Sequence, residues 1–385
     1  MTRRDATRQF LLLMAGSPLL RPQSSERSDR QPALDDLINV FDFDDACRKR
    51  IAREAYDFVS GGADDEWTLR RNREAFRNIT LLPNMLVDVS RLDLSLTLFG
   101  ERIEMPILVA PTGTQGRLHP DGELAMARAA GRAKTIMVVS STSSHPLDRI
   151  AKAAAGPLWF QLYAEPDLDG TRERVERAVD LGCKTICFTA DAPYWPHRER
   201  DLRNRLMRAE VQNEMRRRRT TPESAKYGLP SRFTAQLTWA FLDQLCSYAK
   251  VPVLVKGILT AADARRAVEH GAGGIVVSNH GGRYLDGVSS TIEALPAIID
   301  ASGGKVPVLI DGGFRRGTDI LKALAIGAKA VLLGRPPLWG LGAFGEAGAF
   351  RVLELLQSEL ALAMGLAGRP NLASIDRGLV SIDRR

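Results

Sequence analysis

Short apolar runs of strand length alternate with amphipathic helical stretches along most of the chain after residue 105. Each apolar run is bounded by residues typical of turns, and this alternation is typical of strand–helix units. Eight runs are predicted as strands: Pro106–Ala110, Ile136–Val139, Leu158–Leu162, Thr185–Thr189, Pro252–Val255, Gly274–Val277, Val306–Ile310 and Ala330–Leu333. The stretches between them predict helices such as Gly122–Arg132, Thr171–Leu181, Ala261–Glu269, Ile292–Ala301 and Thr318–Ala325.

Eight strand–helix units predict an α/β protein, a (β/α)8 TIM barrel that uses about 250 residues plus additions. The other α/β candidate is a doubly wound sheet, and it fits less well. No G-x-G-x-x-G follows the first strand, because 271–274 (Gly-Ala-Gly-Gly) lacks that spacing and precedes a strand instead. There is no P-loop either.

Helical segments precede the barrel. The stretch 42–60 predicts a helix with Asp42 as its N-cap, and Gly61-Gly62 ends it before a further helix begins. We therefore expect residues 34–385 to form the barrel domain with an N-terminal helical extension. Residues 1–33 carry a basic start and an eleven-residue apolar stretch. They resemble a twin-arginine export signal or else form a disordered or surface-packed tail, which leaves localisation open between export and the cytoplasm.

One connection is much longer than the others. About forty residues, from Tyr194 to Phe233, separate the fourth strand from the helix before the fifth, and loops of this length are usually lids or binding segments. The stretch 198–219 holds nine arginines against four acids, a large part of the net charge of +7. It has neither the aromatic residues of a nucleic-acid module nor the apolar partners of a membrane helix, so we expect a lid and no nucleic acid.

The spacing of the four cysteines supports neither a disulfide framework nor a zinc site. Cys183 and Cys187 flank an apolar run, which indicates burial as small hydrophobic residues. No metal is expected.

Polar residues follow every predicted strand, at the end where barrel enzymes collect their catalytic groups. They are Thr112 and Gly113 after the first strand, Ser140 and Thr142 after the second, Gln161 and Tyr163 on the third, Thr189 and Asp191 on the fourth, Lys256 on the fifth, Ser278, His280 and Arg283 after the sixth, Asp311 to Arg315 after the seventh, and Gly334 and Arg335 after the eighth. One such residue often only caps a turn, but eight polar strand ends in succession indicate a functional site.

Two parts of this set suggest chemistry. His280 precedes Arg283 by three residues on a glycine-rich segment, which joins a group that exchanges protons near neutral pH to a fixed fork for an anion. Gly312, Gly313 and Gly334 lie beside Arg315 and Arg335, the pattern of a phosphate cup after the last two barrel strands. The site thus predicts a carboxylate-bearing substrate and a bound phosphate.

With these residues assembled, the chain resembles the FMN-dependent 2-hydroxy acid oxidase and dehydrogenase family, which includes glycolate oxidase, lactate oxidase and mandelate dehydrogenase. The resemblance runs from about Phe41 to Asp376. Its most specific pieces are 278–283 (Ser-Asn-His-Gly-Gly-Arg) and 311–319, which begins Asp-Gly-Gly and continues with Arg-Arg-Gly-Thr-Asp at 315–319.

The resemblance implies a role for each residue. FMN would be held by Thr112, Gly113, Ser140, Gln161, Thr189, Lys256, Ser278, Asp311, Gly312, Gly313, Arg315, Gly334 and Arg335. His280 would be the general base, Asp191 would stabilise its protonated form, and flavin N5 would accept hydride. Arg198 and Arg283 would bind the substrate carboxylate, and Tyr163 a substrate oxygen. In an alternative mechanism His280 takes the α-proton and forms a carbanion.

Three positions depart from the family pattern. Phe58 stands where a tyrosine usually binds the substrate carboxylate, Tyr284 where glutamine is common, and Thr142 where plant glycolate oxidases have a bulky tryptophan. The missing hydroxyl should weaken binding by about 1.5–3 kcal/mol at most. Tyr56 is not expected to replace it, because two residues along a helix point in different directions. The Thr142 substitution leaves room for a larger substrate side chain.

The sequence thus predicts oxidation of a small (S)-2-hydroxy acid to the 2-oxo acid, with O2 or a quinone or cytochrome as electron acceptor. The resemblance also implies a homo-oligomer, a tetramer. Other flavin reactions, such as those of an isomerase or a peptide-modifying oxidase, and a flavin-binding barrel with weakened catalysis are the alternatives.

Overall fold

The computed structural model describes residues 32–164, 168–204 and 237–383. The described residues fall into two units, one ending at Asp36 and one beginning at Leu37, and the first contains a short 3-10 helix, Leu34–Asp36. The predicted export signal and most of the predicted lid lie outside the described residues.

Eight parallel strands close into a barrel in chain order, which confirms the (β/α)8 prediction. They are β4 (Ile107–Val109), β5 (Met137–Ser140), β6 (Leu158–Leu162), β7 (Ile186–Thr189), β8 (Val253–Ile258), β9 (Gly274–Val277), β10 (Val308–Asp311) and β11 (Ala330–Leu333). The barrel closes where β11 pairs with β4, with Val331 opposite Ile107. All eight lie within three residues of the predicted bounds, and three match them fully, because buried apolar runs between turn residues mark parallel strands clearly.

Helices surround the barrel and precede it. They are α1 (Val40–Arg50), α2 (Arg53–Ser60), α3 (Trp67–Glu74), α4 (Gly122–Arg132), α5 (Leu147–Ala153), α6 (Leu168–Asp180), α7 (Glu199–Arg203), α8 (Trp239–Tyr248), α9 (Ala261–Glu269), α10 (Thr291–Ser302), α11 (Gly317–Ile326) and α12 (Arg335–Leu366). The long α12 is kinked at Phe344 and Gly345, which have non-helical dihedrals. No helix in the described ranges is long and apolar enough to span a membrane.

The single helix predicted over 42–60 is wrong, because the structure has two. Asn39, not Asp42, is the N-cap of α1; its side chain accepts hydrogen bonds from the backbone N–H of Phe41 and Asp42, and Asp42 returns a bond to the cap. Helix α1 ends at Arg50, and its C-cap Ile51 adopts an extended conformation (φ −107°, ψ 164°).

The structure also has two small antiparallel sheets that the sequence pattern did not predict. β1 (Ile79–Leu81) pairs with β12 (Val380–Ile382), and β2 (Leu96–Leu98) pairs with β3 (Glu101–Ile103). Three residues are too few for an alternating pattern to be recognised.

Apolar side chains fill the barrel interior and its amino-terminal end. Val138, Trp159 and Val276 from the strands pack with Ile103 from the β2–β3 hairpin. Phe99 in the hairpin turn meets Trp159 edge to face, with ring centres 5.6 Å apart. Since this end is closed by hydrophobic residues, the polar strand ends lie together at the opposite, carboxyl end.

Candidate active site

A cleft at the carboxyl end of the barrel gathers the predicted site residues. Those that line it are Phe58, Thr112, Gly113, Ser140, Thr142, Tyr163, Arg198, Lys256, His280, Arg283, Asp311, Gly312, Gly313, Arg315, Gly334 and Arg335. The remaining four, Gln161, Thr189, Asp191 and Ser278, each hydrogen-bond a site residue. The structure therefore brings the whole predicted set together.

His280 lies between a carboxylate and a phenol. Its Nδ1 is 3.0 Å from Oδ1 of Asp191, and its Nε2 is 3.5 Å from the hydroxyl of Tyr163. The backbone of His280 has a φ of +55°, a left-handed conformation that few side-chain-bearing residues adopt. Its N–H donates to the Ser278 hydroxyl at 3.0 Å, and this bond helps to hold the unusual turn. The imidazole is thus oriented with Nε2 facing the cleft.

Burial and charge decide the protonation of this pair. Burial lowers the pKa of His280 below its ordinary value of 6.5; Asp191 opposes that shift, and the Lys256 cation adds to it. Burial alone would raise the pKa of Asp191, but His280 and Lys256 outweigh it, so that pKa is lowered. At neutral pH the imidazole is a neutral proton acceptor beside an ionised carboxylate.

A β-bulge makes room for Asp191. The pairing between β8 and β9 shifts register between Lys256 and Ile258, and the intervening Gly257 has a φ of +109°. A Cβ at Gly257 would lie 2.6 Å from the Cβ of Asp191. Only glycine therefore allows β8 to pass behind the carboxylate that orients His280.

Lys256 is held in a buried polar chain. Its ammonium donates to Ser278 Oγ at 2.8 Å and lies 3.2 Å from Oδ2 of Asp311. Burial would lower the pKa of Lys256, but Asp311 and Asp191 raise it above the ordinary value. The side chain thus presents a permanent positive charge at the floor of the cleft.

Beside Lys256 runs a row of fixed hydrogen-bonding groups. The Gln161 amide donates to Thr189 Oγ1 at 2.9 Å, and its carbonyl accepts from the Ser140 hydroxyl at 3.1 Å. These two bonds set the orientation of the buried amide. They leave a polar edge, which suits a ligand with several ring heteroatoms.

The far end of the cleft is built for an anion. Gly312 and Gly313 have φ values of +97° and +85°, conformations that suit glycine and leave the backbone accessible. Arg315 stacks on Trp339, its guanidinium carbon 4.5 Å from the ring centre. Burial and the nearby charge of Arg335 lower the pKa of Arg315 to about 9. An anion bound here would relieve the repulsion between these two cations.

A second part of the cleft, the arginine end, holds a cluster of arginines around Phe58. It adjoins the anion site, because Arg283 and Arg335 both donate to the Gly61 carbonyl. Arg198 and Arg283 each place a guanidinium carbon 5.4 Å from the ring centre of Phe58. Arg283 Nη1 donates to the Gly61 carbonyl at 2.8 Å, and Arg198 Nε lies 3.1 Å from Oδ2 of Asp201. The two arginines expected to form a carboxylate fork therefore share this end of the cleft and are partly engaged by the protein.

The sequence did not predict that Arg117 belongs to the site. Its guanidinium carbon is 4.5 Å from the ring centre of Phe58, closer than either predicted arginine. It lies in a 3-10 turn, Gln115–Arg117, between β4 and α4. A single arginine in a short turn gives no periodic signal, and only the packing reveals its position.

Tyr56 does not substitute for the missing phenol at position 58. Its hydroxyl donates to Asp44 Oδ1 at 2.7 Å, and burial together with that carboxylate raises the pKa of Tyr56 to about 12. The prediction that its side chain points elsewhere is confirmed.

The loop carrying His280 is attached to the N-terminal helices. The amides of Asn279 and Asn72 exchange two hydrogen bonds, and the Ala63 N–H donates to the Gly282 carbonyl at 2.9 Å. Asp286 caps α3 by accepting from the backbone N–H of Trp67 and Thr68. The extension before the barrel thus positions the candidate base.

Fold and site together define a barrel enzyme whose cleft holds a buried His–carboxylate pair and several arginines. Comparison with known proteins identifies the enzyme family. Residues 47–382 match the family FMN-dependent dehydrogenase. The chain therefore belongs to the FMN-dependent dehydrogenase family, and FMN is its cofactor.

Relatives of known name agree with this assignment. The chain is 44% identical to the L-lactate oxidase of Nostoc sp. over 366 residues, 91% of this chain and 100% of that protein. It is 43% identical to glycolate oxidase 1 of Zea mays over 350 residues, 89% of this chain and 95% of that protein. A mandelate oxidase structure with 3,3-difluoro-2-hydroxy-3-phenylpropionic acid superposes with a TM-score of 0.80 at 41% identity, covering 90% and 98% of the two chains.

Proposed function

We propose that this enzyme oxidises an (S)-2-hydroxy acid to the corresponding 2-oxo acid. The observation that carries the proposal is the His280–Asp191 pair, 3.0 Å apart, in a cleft lined by several buried cations. The names of the relatives, which include lactate, glycolate and mandelate oxidases, support the substrate class.

The residues of the cleft fit FMN. Gly312, Gly313, Gly334, Arg315 and Arg335 would hold the phosphate, because they line the cleft together and combine backbone N–H groups with two buried cations. The remaining contacts to the ring and ribityl chain would come from Thr112, Gly113, Ser140, Gln161, Thr189, Lys256, Ser278 and Asp311.

The chemistry requires the alcohol to lose two electrons and two protons. FMN, when bound, accepts the two electrons with one proton. His280 removes the other proton, that of the 2-hydroxyl, through Nε2, and Asp191 stabilises the resulting imidazolium from Nδ1. Tyr163, whose hydroxyl is 3.5 Å from Nε2, would hydrogen-bond the same substrate oxygen and keep it beside the base.

The substrate carboxylate would bind at the arginine end. Arg283 and Arg198 supply guanidinium donors there, and Phe58 provides the apolar surface between them. Binding at this end would place the α-carbon between the carboxylate and the base. Thr142 lines the same cleft with a small side chain and would leave space for the substituent on that carbon.

O2 is the electron acceptor that the names of the relatives favour, giving hydrogen peroxide and regenerating the oxidised cofactor.

A tetramer, expected from the resemblance, is checked by sedimentation velocity of the purified protein.

An anaerobic reduction experiment tests the function. Purified protein should carry the yellow absorbance of oxidised flavin and bleach on addition of a 2-hydroxy acid from a panel that includes (S)-lactate, (S)-mandelate and the achiral glycolate. (R)-Lactate, (R)-mandelate and a His280→Gln variant serve as controls and should leave the colour almost unchanged. Persistent colour with every acid of the panel would contradict the proposal. Rapid return of the colour in air identifies an oxidase, and slow return a dehydrogenase that uses another acceptor.

A further inference from the structure

Arg335 donates hydrogen bonds to three backbone carbonyls. Its Nε donates to that of Val59 at 3.1 Å, its Nη2 to that of Gly61 at 2.8 Å and its Nη1 to that of Gly281 at 2.9 Å. A guanidinium has five N–H donors in a rigid plane, so these three bonds fix its position and orientation and two donors remain. Arg335 therefore joins the end of helix α2 to the loop that carries His280.

The end of α2 suits a positive charge. Val59 and Gly61 lie at the carboxyl terminus of this helix, where carbonyls lack partners within the helix and carry a partial negative charge. Burial lowers the pKa of Arg335 to about 10, and the carbonyl oxygens offset part of the cost of that burial. Arg283 uses the same place, because its Nη1 is 2.8 Å from the Gly61 carbonyl and 3.4 Å from that of Val59. One pair of carbonyls thus holds both arginines.

The loop of His280 is strained where Arg335 meets it. His280 and Gly281 have φ values of +55° and +66°, and two such residues in succession make a sharp turn that bonds from outside must hold. The bond from Arg335 to the Gly281 carbonyl is one of them. A Cβ at Gly281 would lie 2.8 Å from Nη1 of Arg335, so a side chain there would displace the guanidinium.

We propose that Arg335 is a positioning residue for the oxidation, because its guanidinium fixes the loop of His280 and the helix end that holds Arg283. This inference rests on the proposed oxidation of 2-hydroxy acids. It adds to the expected role of Arg335 at the phosphate, for which two N–H donors remain. Without the guanidinium, the base and the carboxylate-binding arginine would shift, and a displacement of about 1 Å can lower a rate by about 100-fold.

A lysine at position 335 separates the two roles. Arg335→Lys keeps a positive charge for the phosphate, but an ammonium is a point charge that cannot bind three carbonyls in a fixed plane. With FMN at saturation, the limiting rate of anaerobic flavin bleaching should fall by about tenfold or more. Binding of the 2-oxo acid that corresponds to the fastest acid of the panel, followed by the flavin absorbance, should also weaken, because Arg283 has shifted. A wild-type bleaching rate in Arg335→Lys overturns the proposal.

Hydrogen–deuterium exchange of the FMN-loaded protein without substrate gives a readout that needs no turnover. The Ala63 N–H donates to the Gly282 carbonyl at 2.9 Å, so the helix end and the loop contact each other directly. Peptides that cover 59–64 and 279–284 should exchange faster in Arg335→Lys, while a peptide from strand β5 should not change. Wild-type exchange in both peptides would show that Arg335 does not hold the loop.

A pair of glycine variants tests the same contact from the other side. Gly281→Ala should lower the bleaching rate by about tenfold or more, since the new Cβ displaces Nη1 of Arg335. Gly287→Ala is the matched control on the same loop, because Gly287 has a φ of +81° and open space where a Cβ would lie. Equal rates in the two variants contradict the proposal.

Arg149→Lys, at an exposed position on α5, controls for the change of arginine to lysine and should keep the wild-type bleaching rate and exchange. The proposed function and the role of Arg335 fail in different ways. If no 2-hydroxy acid bleaches the flavin of the wild-type protein, the function fails, and the exchange measurement still decides whether Arg335 holds the loop.

Discussion

The side-chain amides of Asn72 and Asn279 form a reciprocal pair, with hydrogen bonds of 2.9 and 2.8 Å, although the two residues are 207 positions apart. Both are buried. Asn279 immediately precedes His280, so this pair links the candidate base to helix α3 of the N-terminal extension. Precise placement of a base within a few tenths of an ångström governs its efficiency.

Asn72→Ala should therefore lower kcat more than it changes KM. The substitution leaves a buried amide without its partner, which costs about 1–3 kcal/mol of stability. The loss is measured by thermal denaturation together with steady-state kinetics. Asn84→Ala, at an exposed position, is the matched control. A variant that is destabilised but has wild-type kcat would show that the pair supports the fold and not the base.

The pH dependence of kcat/KM should reflect the protonation of His280. The active form is the neutral imidazole, so activity is present above its pKa and lost as the pH falls through it. Because burial and Lys256 place that pKa below 6.5, kcat/KM should remain level down to about that pH and decline only in more acidic solution.

Asp191→Asn should move the acid limb of the pH profile, where activity is lost, to a lower pH. The Asp191 carboxylate raises the pKa of His280, so its removal lowers the pKa. The same variant should lose about 10²–10⁴-fold in kcat, since the imidazolium is no longer stabilised. Asp180→Asn, exposed at the end of α6, is the control. If the acid limb of the pH profile stays at the same pH in Asp191→Asn, Asp191 does not act on the group that titrates there.

Gly257→Ala should disturb the site and not only the fold. The new Cβ would meet Asp191 at 2.6 Å, and the φ of +109° is unfavourable for alanine. Gly182→Ala is a close match, since Gly182 has a φ of +94° and open space where a Cβ would lie. Both variants should lose about 1 kcal/mol or more of stability through the backbone. Only Gly257→Ala should also lose most of its activity; equal activities in the two variants would contradict the role of the bulge.

Arg315→Met should weaken the binding of FMN and leave the binding of riboflavin unchanged. A charge-assisted contact to phosphate is worth about 1.5–3 kcal/mol, so FMN affinity should fall about 10- to 100-fold. Fluorescence titration of the apoprotein measures both ligands. Riboflavin lacks the phosphate, and a parallel loss of its affinity would mean that Arg315 supports the cleft in general, for example through its stacking on Trp339.

Phe58→Tyr should lower KM for a small 2-hydroxy acid by about 10- to 100-fold at most, because a phenolic hydroxyl would add a hydrogen bond to the carboxylate. Steady-state kinetics with lactate checks this. A KM that is unchanged or higher would indicate that the arginine cluster around Phe58 already fills this part of the site.

The sequence predicted most of the barrel and of its strand-end residues for a physical reason. Parallel strands bring their carboxyl ends to one face, so the polar residues that follow each apolar run must meet there. Other features depend on packing between distant segments. Arg117 lies in a three-residue turn, the Gly257 bulge interrupts a strand whose composition is unremarkable, and the Asn72–Asn279 pair joins a helix to a loop. None of these leaves a local pattern.

The crowding of cations in the cleft has a practical consequence for anyone who handles the protein. Arg117, Arg198, Arg283, Arg315 and Arg335 all border one cavity. Their combined field attracts small anions from solution and weakens as the salt concentration rises. Sulfate and phosphate in a buffer are therefore expected to act as competitive inhibitors. Michaelis constants for this enzyme have meaning only at a stated ionic composition, with chloride at low concentration as the reference condition.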